Sequence, residues 1–526
     1  MCVYTRLPGA AAFAALVLLM LLYAAHRWRN PRCHGRLPPG SMGLPLVGET
    51  LQFFSPDDDD SFDVPRFVRH RLARYGPIFK TSLVGHAVVV SADEELNHMV
   101  FQQEGQLFQS WYPDSFVEIL GRDNVGEQQG AMFRYLKNMV LRYFGPESLR
   151  ESKMLRDVEH AVASSLCTWS TLPAVELKEA VSTMVFDLSA NKLLGLEPSR
   201  SKVLRKSFFD FVRGLISFPL YLPGTAYYSC MKIGTDCCSI DRCIQLLSRT
   251  NKSAQACTFV CHFQGRQSAM EVLQEVLEER KRSVQVHGGA GGNERAGRYG
   301  DFLDCVVQEI TREKPLVTDK MALDLMFVLL FASFHTTSLA LTLAVKLLAD
   351  HPHVLEELTV EHETILNDRK AGHGSDGITW MEYKSMTFTS QVINETVRLA
   401  NIAPGIFRKT LKDVQFKGYT IPAGWGVMVC PPAVHLNPSI YPDPLTFNPS
   451  RFKDKPEINR GSRHFMAFGG GLRFCVGADF SKLQMSIFLH LLVTRYRWKN
   501  LGGGKIVRTP GLEFPDGYHI QIRHSD

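Results

Sequence analysis

A ten-residue stretch near the C-terminal end, Phe468 to Gly477, constrains the fold more than any other part of the chain. It reads Phe-Gly-Gly-Gly-Leu-Arg-Phe-Cys-Val-Gly. Its three consecutive glycines permit a tight backbone bulge. Helical periodicity resumes after Cys475, through Leu483 and Ile487. The sequence therefore predicts that Cys475 begins a helix, whose N-terminal N–H groups favour a negatively charged sulfur.

A shielded thiolate in this setting is suited to be the axial ligand of a haem iron. Gly477 removes a side chain where the helix must approach a flat macrocycle, and Phe468 and Gly471 belong to the bulge beneath it. Arg473 is a cation suited to a haem propionate. A glycine loop with a buried structural cysteine is the alternative for an isolated Cys-x-Gly, but the five fixed offsets of Phe, Gly, Arg, Cys and Gly argue against it.

With this motif the chain resembles the cytochrome P-450 superfamily of haem-thiolate monooxygenases, from about Pro38 to Ile522. The segments 475–484 and 433–438 are similar to a plant branch that includes brassinosteroid, sterol and triterpenoid oxidases. The resemblance implies haem b as cofactor and electrons from NADPH through a flavoprotein reductase, the NADPH-cytochrome reductase. It also implies oxidation of a lipophilic sterol- or triterpenoid-like substrate by O2.

Periodicity predicts a mostly α fold with a smaller β part, consistent with the P-450 fold that the resemblance implies. The clearest predicted helices are Met132–Phe144, Ser268–Arg282, Met321–Ala349 and Thr389–Leu399. The predicted strands form a hairpin of Phe79–Leu83 with Ala87–Ser91, a group of short strands in 405–430, and a final hairpin in 512–522.

The resemblance implies a buried ionic triad of Glu395, Arg398 and Arg451 that holds the cysteine loop. Spacing alone does not select this Glu-x-x-Arg pair, because exposed helical pairs three residues apart are ordinary. Two other pairs fit the same spacing: Glu147/Arg150 and Glu279/Arg282. The pair Glu395/Arg398 is selected because it lies on an apolar helix before Cys475. The expected role of the triad is structural.

The resemblance also assigns oxygen activation to the helix Met321–Ala349, where the family signature reads Ala332-Ser333-Phe334-His335-Thr336-Thr337. The Thr336 hydroxyl is expected to bind dioxygen by a hydrogen bond and pass a proton to it. His335 replaces the acid that normally precedes this threonine. An imidazole can still relay protons, so we take His335 as the relay by hypothesis.

Propionate anchoring departs from the family pattern as well. Phe133 stands where the family often has Trp or His, and Lys137 stands where it often has Arg. Phe133 cannot donate a hydrogen bond, and Lys137 offers a point charge rather than a planar fork. Lys137, Arg408 and Arg473 are the expected donors, although Lys137 equally suits a solvated helix face. Residues expected to line the substrate pocket are Trp111, Tyr112, Phe116, Leu329, Ala332, Ser333, Ile406 and Phe407.

The N-terminal segment predicts a single-pass membrane anchor with its basic flank, residues 1–36, ahead of a catalytic domain, residues 37–526. Leu7–Ala25 contains no charged residue and approaches the length of a bilayer-spanning helix. Four arginines follow it and one precedes it, so the positive-inside rule places the body in the cytosol, on the endoplasmic reticulum membrane. A cleaved signal peptide is the alternative. The net charge of +6 is modest and argues against a nucleic-acid binder.

Residues 233–264 form an atypical segment that holds five of the 12 cysteines. It matches nothing in the resembled enzymes, where a helix like the one expected from Gly265 follows the preceding loop. Three explanations stay open: a retained intron or gene-model error, a tolerated surface loop, and a zinc site. The zinc ligands would come from Cys237, Cys238, Cys243, Cys257, Cys261 and His262.

Two other functions compete with the monooxygenase. One is a haem-thiolate isomerase or dehydratase that needs no O2, against which Thr336 argues. The other is an inactive haem-binding remnant disabled by the atypical segment and by His335.

Overall fold

The computed structural model describes residues 7–45, 47–56, 62–114, 117, 120–121, 125–215, 253–287, 300–371, 377–453, 462–509 and 511–525. Its helices are α1 Leu7–Arg29, α2 Thr50–Phe53, α3 Arg66–Tyr75, α4 Glu94–Gln102, α5 Gly130–Phe144, α6 Pro146–Leu149, α7 Ser152–Ser170, α8 Leu177–Leu194, α9 Pro198–Leu215, α10 Ser253–His287, α11 Phe302–Ile310, α12 Asp319–Asp350, α13 Pro352–Ala371, α14 Trp380–Ser385, α15 Thr387–Ala400, α16 Pro431–His435 and α17 Ala478–Arg495. Its strands are β1 Ile78–Leu83, β2 His86–Ser91, β3 Phe108–Ser110, β4 Val175–Glu176, β5 Ile406–Thr410, β6 Val414–Phe416, β7 Tyr419–Ile421, β8 Gly426–Val429, β9 Tyr496–Gly503, β10 Val507–Arg508, β11 Leu512–Glu513 and β12 Tyr518–His524.

The main sheet joins distant parts of the chain. Its five strands lie in the order β1-β2-β8-β5-β3. β2 and β8 pair in parallel, with Val88 opposite Gly426 and Ser91 opposite Val429. Val88, Val89 and Val90 are fully buried, as expected for a strand covered on both faces. This pairing fixes the early hairpin against the strands that precede the cysteine loop.

Helix α12 forms the centre of the helical part. It begins after Thr318, whose side chain accepts a hydrogen bond from Met321 N as an N-cap. Almost every side chain of its C-terminal half, from Thr337 to Leu348, is buried. By length and composition it could cross a membrane, yet 61% of its most apolar window is buried inside the protein. Its apolar character therefore reflects a core position.

The structure confirms the mostly helical fold with a smaller sheet part. The four helices that periodicity predicts are present, and so is the early β-hairpin. The helix expected to open at Gly265 begins at Ser253 instead. Residues 253–264 contain neither Gly nor Pro, so nothing in them stops the helix. The rest of the atypical segment, with Cys237, Cys238 and Cys243, lies outside the described residues.

The expected final hairpin in 512–522 is wrong. A turn does form, closed by a hydrogen bond from Gly517 N to Phe514 O. Its two flanking strands pair elsewhere, because β11 lies against β10 while β12 lies between β4 and β9. β12 has seven residues and β9 has eight, so this pairing forms many more ladder bonds than the two-residue β11 could supply.

Candidate active site

The cysteine loop is held by its own backbone. Gly471–Arg473 forms a single 3₁₀ turn, and Cys475 N donates to Phe468 O at 3.0 Å. Helix α17 begins at Ala478 with Gly477 as its N-cap, three residues after Cys475 rather than at it. The cysteine therefore precedes the helix and faces its first N–H groups.

The glycines of the loop are required by a neighbouring helix. Gly471 adopts a φ of +62°, and a Cβ there would lie 2.0 Å from the carbonyl oxygen of Phe101. A Cβ on Gly470 would lie 2.7 Å from the Phe101 ring. The bulge that the sequence assigns to a macrocycle thus also serves packing against α4.

The Cys475 thiol lies next to open space inside the protein. Its side chain is accessible, yet burial raises the pKa of the Cys475 thiol. Hydrogen bonds from the N–H groups of Gly477 and Ala478, and the charge of Lys137, act in the opposite direction. A thiol that is surrounded by protein and still accessible borders an internal cavity. Its surroundings favour a bound metal as the means of keeping the sulfur ionised.

Helix α12 presents a second accessible surface in the middle of the core. Ala332 and Thr336, one turn apart, are exposed, whereas Thr337 and the residues after it are buried. Thr336 Oγ1 donates to Ala332 O at 2.7 Å. Thr337 Oγ1 lies 3.2 Å from Ser481 Oγ on α17. Exposed side chains between buried ones again indicate internal open space, next to the helix that follows Cys475.

Both observations fit a haem. Cys475 offers a sulfur on one side, and α12 offers small and hydroxyl-bearing side chains above free space. Within the described residues no cluster of three or more His, Cys, Asp or Glu side chains could hold a metal ion on its own. A macrocycle would supply the remaining ligands of an iron bound to Cys475.

The structure brings Glu395, Arg398 and Arg451 together behind the cysteine loop. Arg398 donates through Nε and Nη2 to the two carboxylate oxygens of Glu395, at 2.7 and 2.8 Å. Both side chains are fully buried. Arg451 Nε donates to Glu395 Oε1 at 3.3 Å. The triad thus ties α15 to the segment around 449–452.

His435 extends this network, and the sequence reasoning missed it. Its backbone oxygen accepts from Arg398 Nη1 at 2.7 Å. Its Nε2 accepts from Met466 N at 2.9 Å, so its Nδ1 carries the proton that is donated to Asn401 Oδ1 at 2.7 Å. Burial lowers the pKa of His435 to about 3, with the charge of Arg398 acting in the same direction. Its position in the Ala-Val-His-Leu-Asn-Pro segment, residues 433–438, was the sequence signal that could have identified His435.

The comparisons with known proteins agree with this geometry. The profile of the family described as "Cytochrome P450" matches residues 259–513. The chain is 56% identical to "Cytochrome P450 87A3" of Oryza sativa subsp. japonica, over 95% of this chain and 88% of that protein. It is 40% identical to "Cucurbitadienol 11-hydroxylase" of Siraitia grosvenorii, over 97% of this chain and 98% of that protein.

The chain belongs to the cytochrome P450 family. The solved structure "Retinoic acid bound cyanobacterial CYP120A1" superposes with a TM-score of 0.75 at 26% identity, covering 94% of this chain and 100% of that one. The present chain is also 33% identical to "Cholesterol 22-hydroxylase CYP90B27" of Paris polyphylla, over 97% of both chains. The protein is accordingly a cytochrome P450 monooxygenase with a haem iron as cofactor.

In this P450 the two arginines expected at the haem edge share one carboxylate. Glu104 Oε1 accepts from Arg473 Nε at 2.9 Å, and Glu104 Oε2 lies 2.8 Å from Arg408 Nε. Arg473 also donates to Gly126 O, Gln128 O and Gln129 Oε1. Four of its five N–H groups are thus used within the protein. Glu104 is a residue that sequence reasoning missed.

Arg408 uses fewer of its N–H groups within the protein than Arg473 does. Its Nη1 donates to Phe407 O at 2.8 Å, and its Nε contacts Glu104 without forming an aligned hydrogen bond. The remaining guanidinium donors could bind a propionate. Arg408 therefore suits that role better than Arg473 does.

Phe133 and Lys137, the departures on α5, have partners of their own. The guanidinium of Arg473 lies over the Phe133 ring, 4.0 Å from its centroid. Lys137 Nζ donates to Leu472 O at 2.5 Å and to Phe474 O at 3.2 Å. Burial lowers the pKa of Lys137, whereas the negative charge of a Cys475 thiolate would raise it. Neither residue lies on a solvated face.

His335 is half-buried beside Phe331, whose ring is nearly parallel at 6.3 Å. Burial lowers the pKa of His335 to about 4, and the charge of Lys178 acts in the same direction. The imidazole is therefore neutral near pH 7 and has one nitrogen able to accept a proton.

The residues expected to line the substrate pocket are spread over several elements. The Trp111 ring lies 6.2 Å from that of Phe407 and packs on the main sheet at Gly426. Tyr112, Leu329, Ser333 and Ile406 are partly buried. Phe116 lies outside the described residues.

Proposed function

We propose that this P450 hydroxylates a sterol- or triterpenoid-like lipophilic substrate, using O2 and electrons from NADPH delivered by a flavoprotein reductase. Several relatives that match nearly the whole chain are named for such chemistry, among them "Beta-amyrin 16-alpha-hydroxylase CYP87D16" of Maesa lanceolata. The observation that carries the proposal is the pair of accessible surfaces at Cys475 and at Ala332–Thr336. They lie on neighbouring elements joined by Thr337 and Ser481.

Each site residue has a proposed task. Bound haem supplies the iron that activates O2. Cys475 supplies the sulfur ligand. Phe468 closes its loop by accepting a hydrogen bond from Cys475 N, and Gly471 and Gly477 add no side chain to the loop. Arg408, with help from Arg473, binds the propionates. These tasks rest on the family pattern together with the hydrogen bonds described above.

Proton delivery is proposed to start at Thr336. Its hydroxyl hydrogen bonds to Ala332 O, so it must turn toward the cavity to donate to oxygen there. The neutral imidazole of His335 is the proposed relay that resupplies the proton. Glu395, Arg398 and Arg451 are proposed to be structural, because they hold the cysteine loop without reaching the cavity.

We further propose that residues 1–36 anchor the protein in the endoplasmic reticulum membrane and that residues 37–526 form the catalytic domain in the cytosol. Helix α1 spans 23 residues. Its side chains from Leu18 to Leu22 are all more than half exposed, so the apolar surface of this helix is not covered by the protein. A lipophilic substrate that partitions into the bilayer suits such an anchor.

The test uses the full chain expressed in microsomes with a plant NADPH-cytochrome reductase. The reduced, CO-treated sample is expected to show the absorption band of a thiolate-ligated haem, and Cys475→Ser is expected to lose it. The same microsomes are then given cucurbitadienol, β-amyrin and cholesterol separately. A hydroxylated product that needs both O2 and NADPH is expected from at least one of them. Product formed equally under nitrogen would overturn the monooxygenase assignment.

A further inference from the structure

Lys137 lies at the point where α5 meets the cysteine loop. Phe133, Leu136 and Val140 bury one face of α5, and Lys137 stands one turn after Phe133 on the edge of that face. Its side chain is half-buried, with its ammonium within hydrogen-bonding distance of Leu472 O and Phe474 O. These two carbonyls flank Arg473, and the second belongs to the residue directly before Cys475.

The backbone hydrogen bonds on either side of this position are internal to the loop. Phe474 N donates to Gly471 O at 3.1 Å and Cys475 N donates to Phe468 O at 3.0 Å, so both bonds are internal to the loop. Arg473 points away and binds Glu104 and the segment 126–129. Lys137 is therefore a cationic link between the carbonyls around Arg473 and a helix outside the loop.

An ammonium bound to two carbonyls keeps one N–H group for a third partner. Its three N–H groups form a compact point charge, and two of them are already used at 2.5 and 3.2 Å. A hydrogen bond with one charged partner is stronger than a neutral one, and replacing the lysine by an apolar residue leaves both carbonyls without this donor. The geometry favours a contact with the loop over a contact with the cofactor's carboxylates.

We propose that Lys137 is a positioning residue for Cys475, which holds the loop carbonyls of Leu472 and Phe474, and that its main contact is with this loop rather than with the haem propionates. This inference rests on the proposed role of Cys475 as the haem ligand. It predicts that loss of the Lys137 charge frees the loop, so that the bond from sulfur to iron is more easily lost while haem stays bound.

The experiment uses the full chain and compares Lys137→Met with the parent and with Arg134→Met. Arg134 lies on the same helix and is exposed, so its variant controls for loss of a cation from α5. The first measurement is the rate at which the CO band of thiolate-ligated haem converts to that of thiol-ligated haem on mild warming. The second is the rate of haem transfer to excess apomyoglobin.

Lys137→Met is expected to convert about ten-fold faster than the parent, the effect of losing one hydrogen bond to a charged group. Its haem transfer is expected to stay within about two-fold of the parent, and Arg134→Met is expected to match the parent in both. Faster haem transfer with unchanged conversion would show a propionate donor and overturn the proposal, as would no change in either rate.

Two further arms keep the outcome decisive. If Lys137→Met does not fold, Lys137→Gln, whose neutral amide retains a weaker donor, is expected to convert several-fold faster than the parent, and a rate equal to the parent's overturns the proposal. Absence of the thiolate band in the parent itself would instead refute the assignment of Cys475, so the two failures are distinguishable.

Discussion

Thr337 on the central helix α12 and Ser481 on α17 share a hydrogen bond, with their Oγ atoms 3.2 Å apart. Thr336, the preceding residue, has an exposed side chain. Two adjacent threonines thus have different surroundings: one joins the helices on either side of the site, and the other borders the cavity.

This difference gives a matched pair of variants. Thr337→Val is expected to lower the free energy of unfolding by about 1 kcal/mol, because one hydrogen bond is lost while the shape is kept, with little effect on product formed per NADPH. Thr336→Val is expected to leave stability unchanged. It should lower product per NADPH by roughly ten-fold or more, since a proton donor is removed. Urea unfolding and NADPH-to-product stoichiometry measure the two effects, and equal coupling in both variants would remove Thr336 from the mechanism.

The buried pair of Glu395 and Arg398 predicts a large loss of stability. Arg398→Met leaves the Glu395 carboxylate buried with Arg451 as its remaining cation, which is expected to cost about 3–5 kcal/mol and to reduce haem incorporation. The exposed pair of Arg200 and Glu279 is the control. Arg200→Met is expected to change stability by less than about 1 kcal/mol. Comparable losses in the two variants would contradict the assigned role of the triad.

Glu104, which belongs to none of the sequence motifs, is expected to control haem content through its two arginine partners. Glu104→Gln removes the charge that Arg408 and Arg473 share, leaving two nearby guanidinium groups without their carboxylate. We expect less haem per polypeptide after purification and a loss of stability of about 3 kcal/mol or more. Glu95→Gln, on the exposed face of α4, is the control. Full haem content in Glu104→Gln would show that the arginines do not need this partner.

A histidine pair away from the site predicts acid sensitivity. His362 and His490 lie with their Nδ1 atoms 2.9 Å apart, and both are fully buried. Burial lowers the pKa of His362 to about 3, helped by His490. Burial also lowers the pKa of His490 to about 4, with Arg369 and Arg495 acting in the same direction and Glu382 against it.

Because the folded pKa values lie below the unfolded value of about 6.5, the unfolded chain binds more protons at acid pH. Stability is therefore complete above about pH 6.5 and falls as the pH drops toward 4, by up to about 1.4 kcal/mol per pH unit for each histidine. Urea midpoints measured between pH 7 and 5 report this slope. His490→Gln is expected to reduce it, whereas the exposed control His519→Gln should not, and an unchanged slope in His490→Gln would contradict the assignment.

Local spacing predicted the secondary structure around the candidate site. The two threonines lie on α12 and Glu395 and Arg398 lie on α15, as expected, whereas the last helix begins three residues after Cys475. Contacts that join distant residues were not predictable in this way. Glu104 precedes Arg473 by 369 residues, and no local pattern marks it as the partner of an arginine.

The failure at the C-terminal end has the same origin. A turn signal at Pro515–Gly517 was correctly identified, but the turn does not decide which strands pair. β12 found a longer partner in β9 and a second partner in β4. Likewise, the sequence could not distinguish whether Lys137 is a propionate donor or a solvated surface residue, because its contacts with Leu472 O and Phe474 O join distant parts of the chain.

The parallel pairing of β2 with β8 has a consequence for biosynthesis. It joins residues 88–91 to residues 426–429, and Cys475 follows later still. Contacts this far apart in sequence form slowly, after the loop-closure entropy between them has been overcome. A nascent chain therefore leaves the ribosome almost entirely before its sheet can close or Cys475, the proposed sulfur ligand, is available. Ligation of a haem by Cys475 would therefore wait until nearly all of the 526 residues have been synthesised.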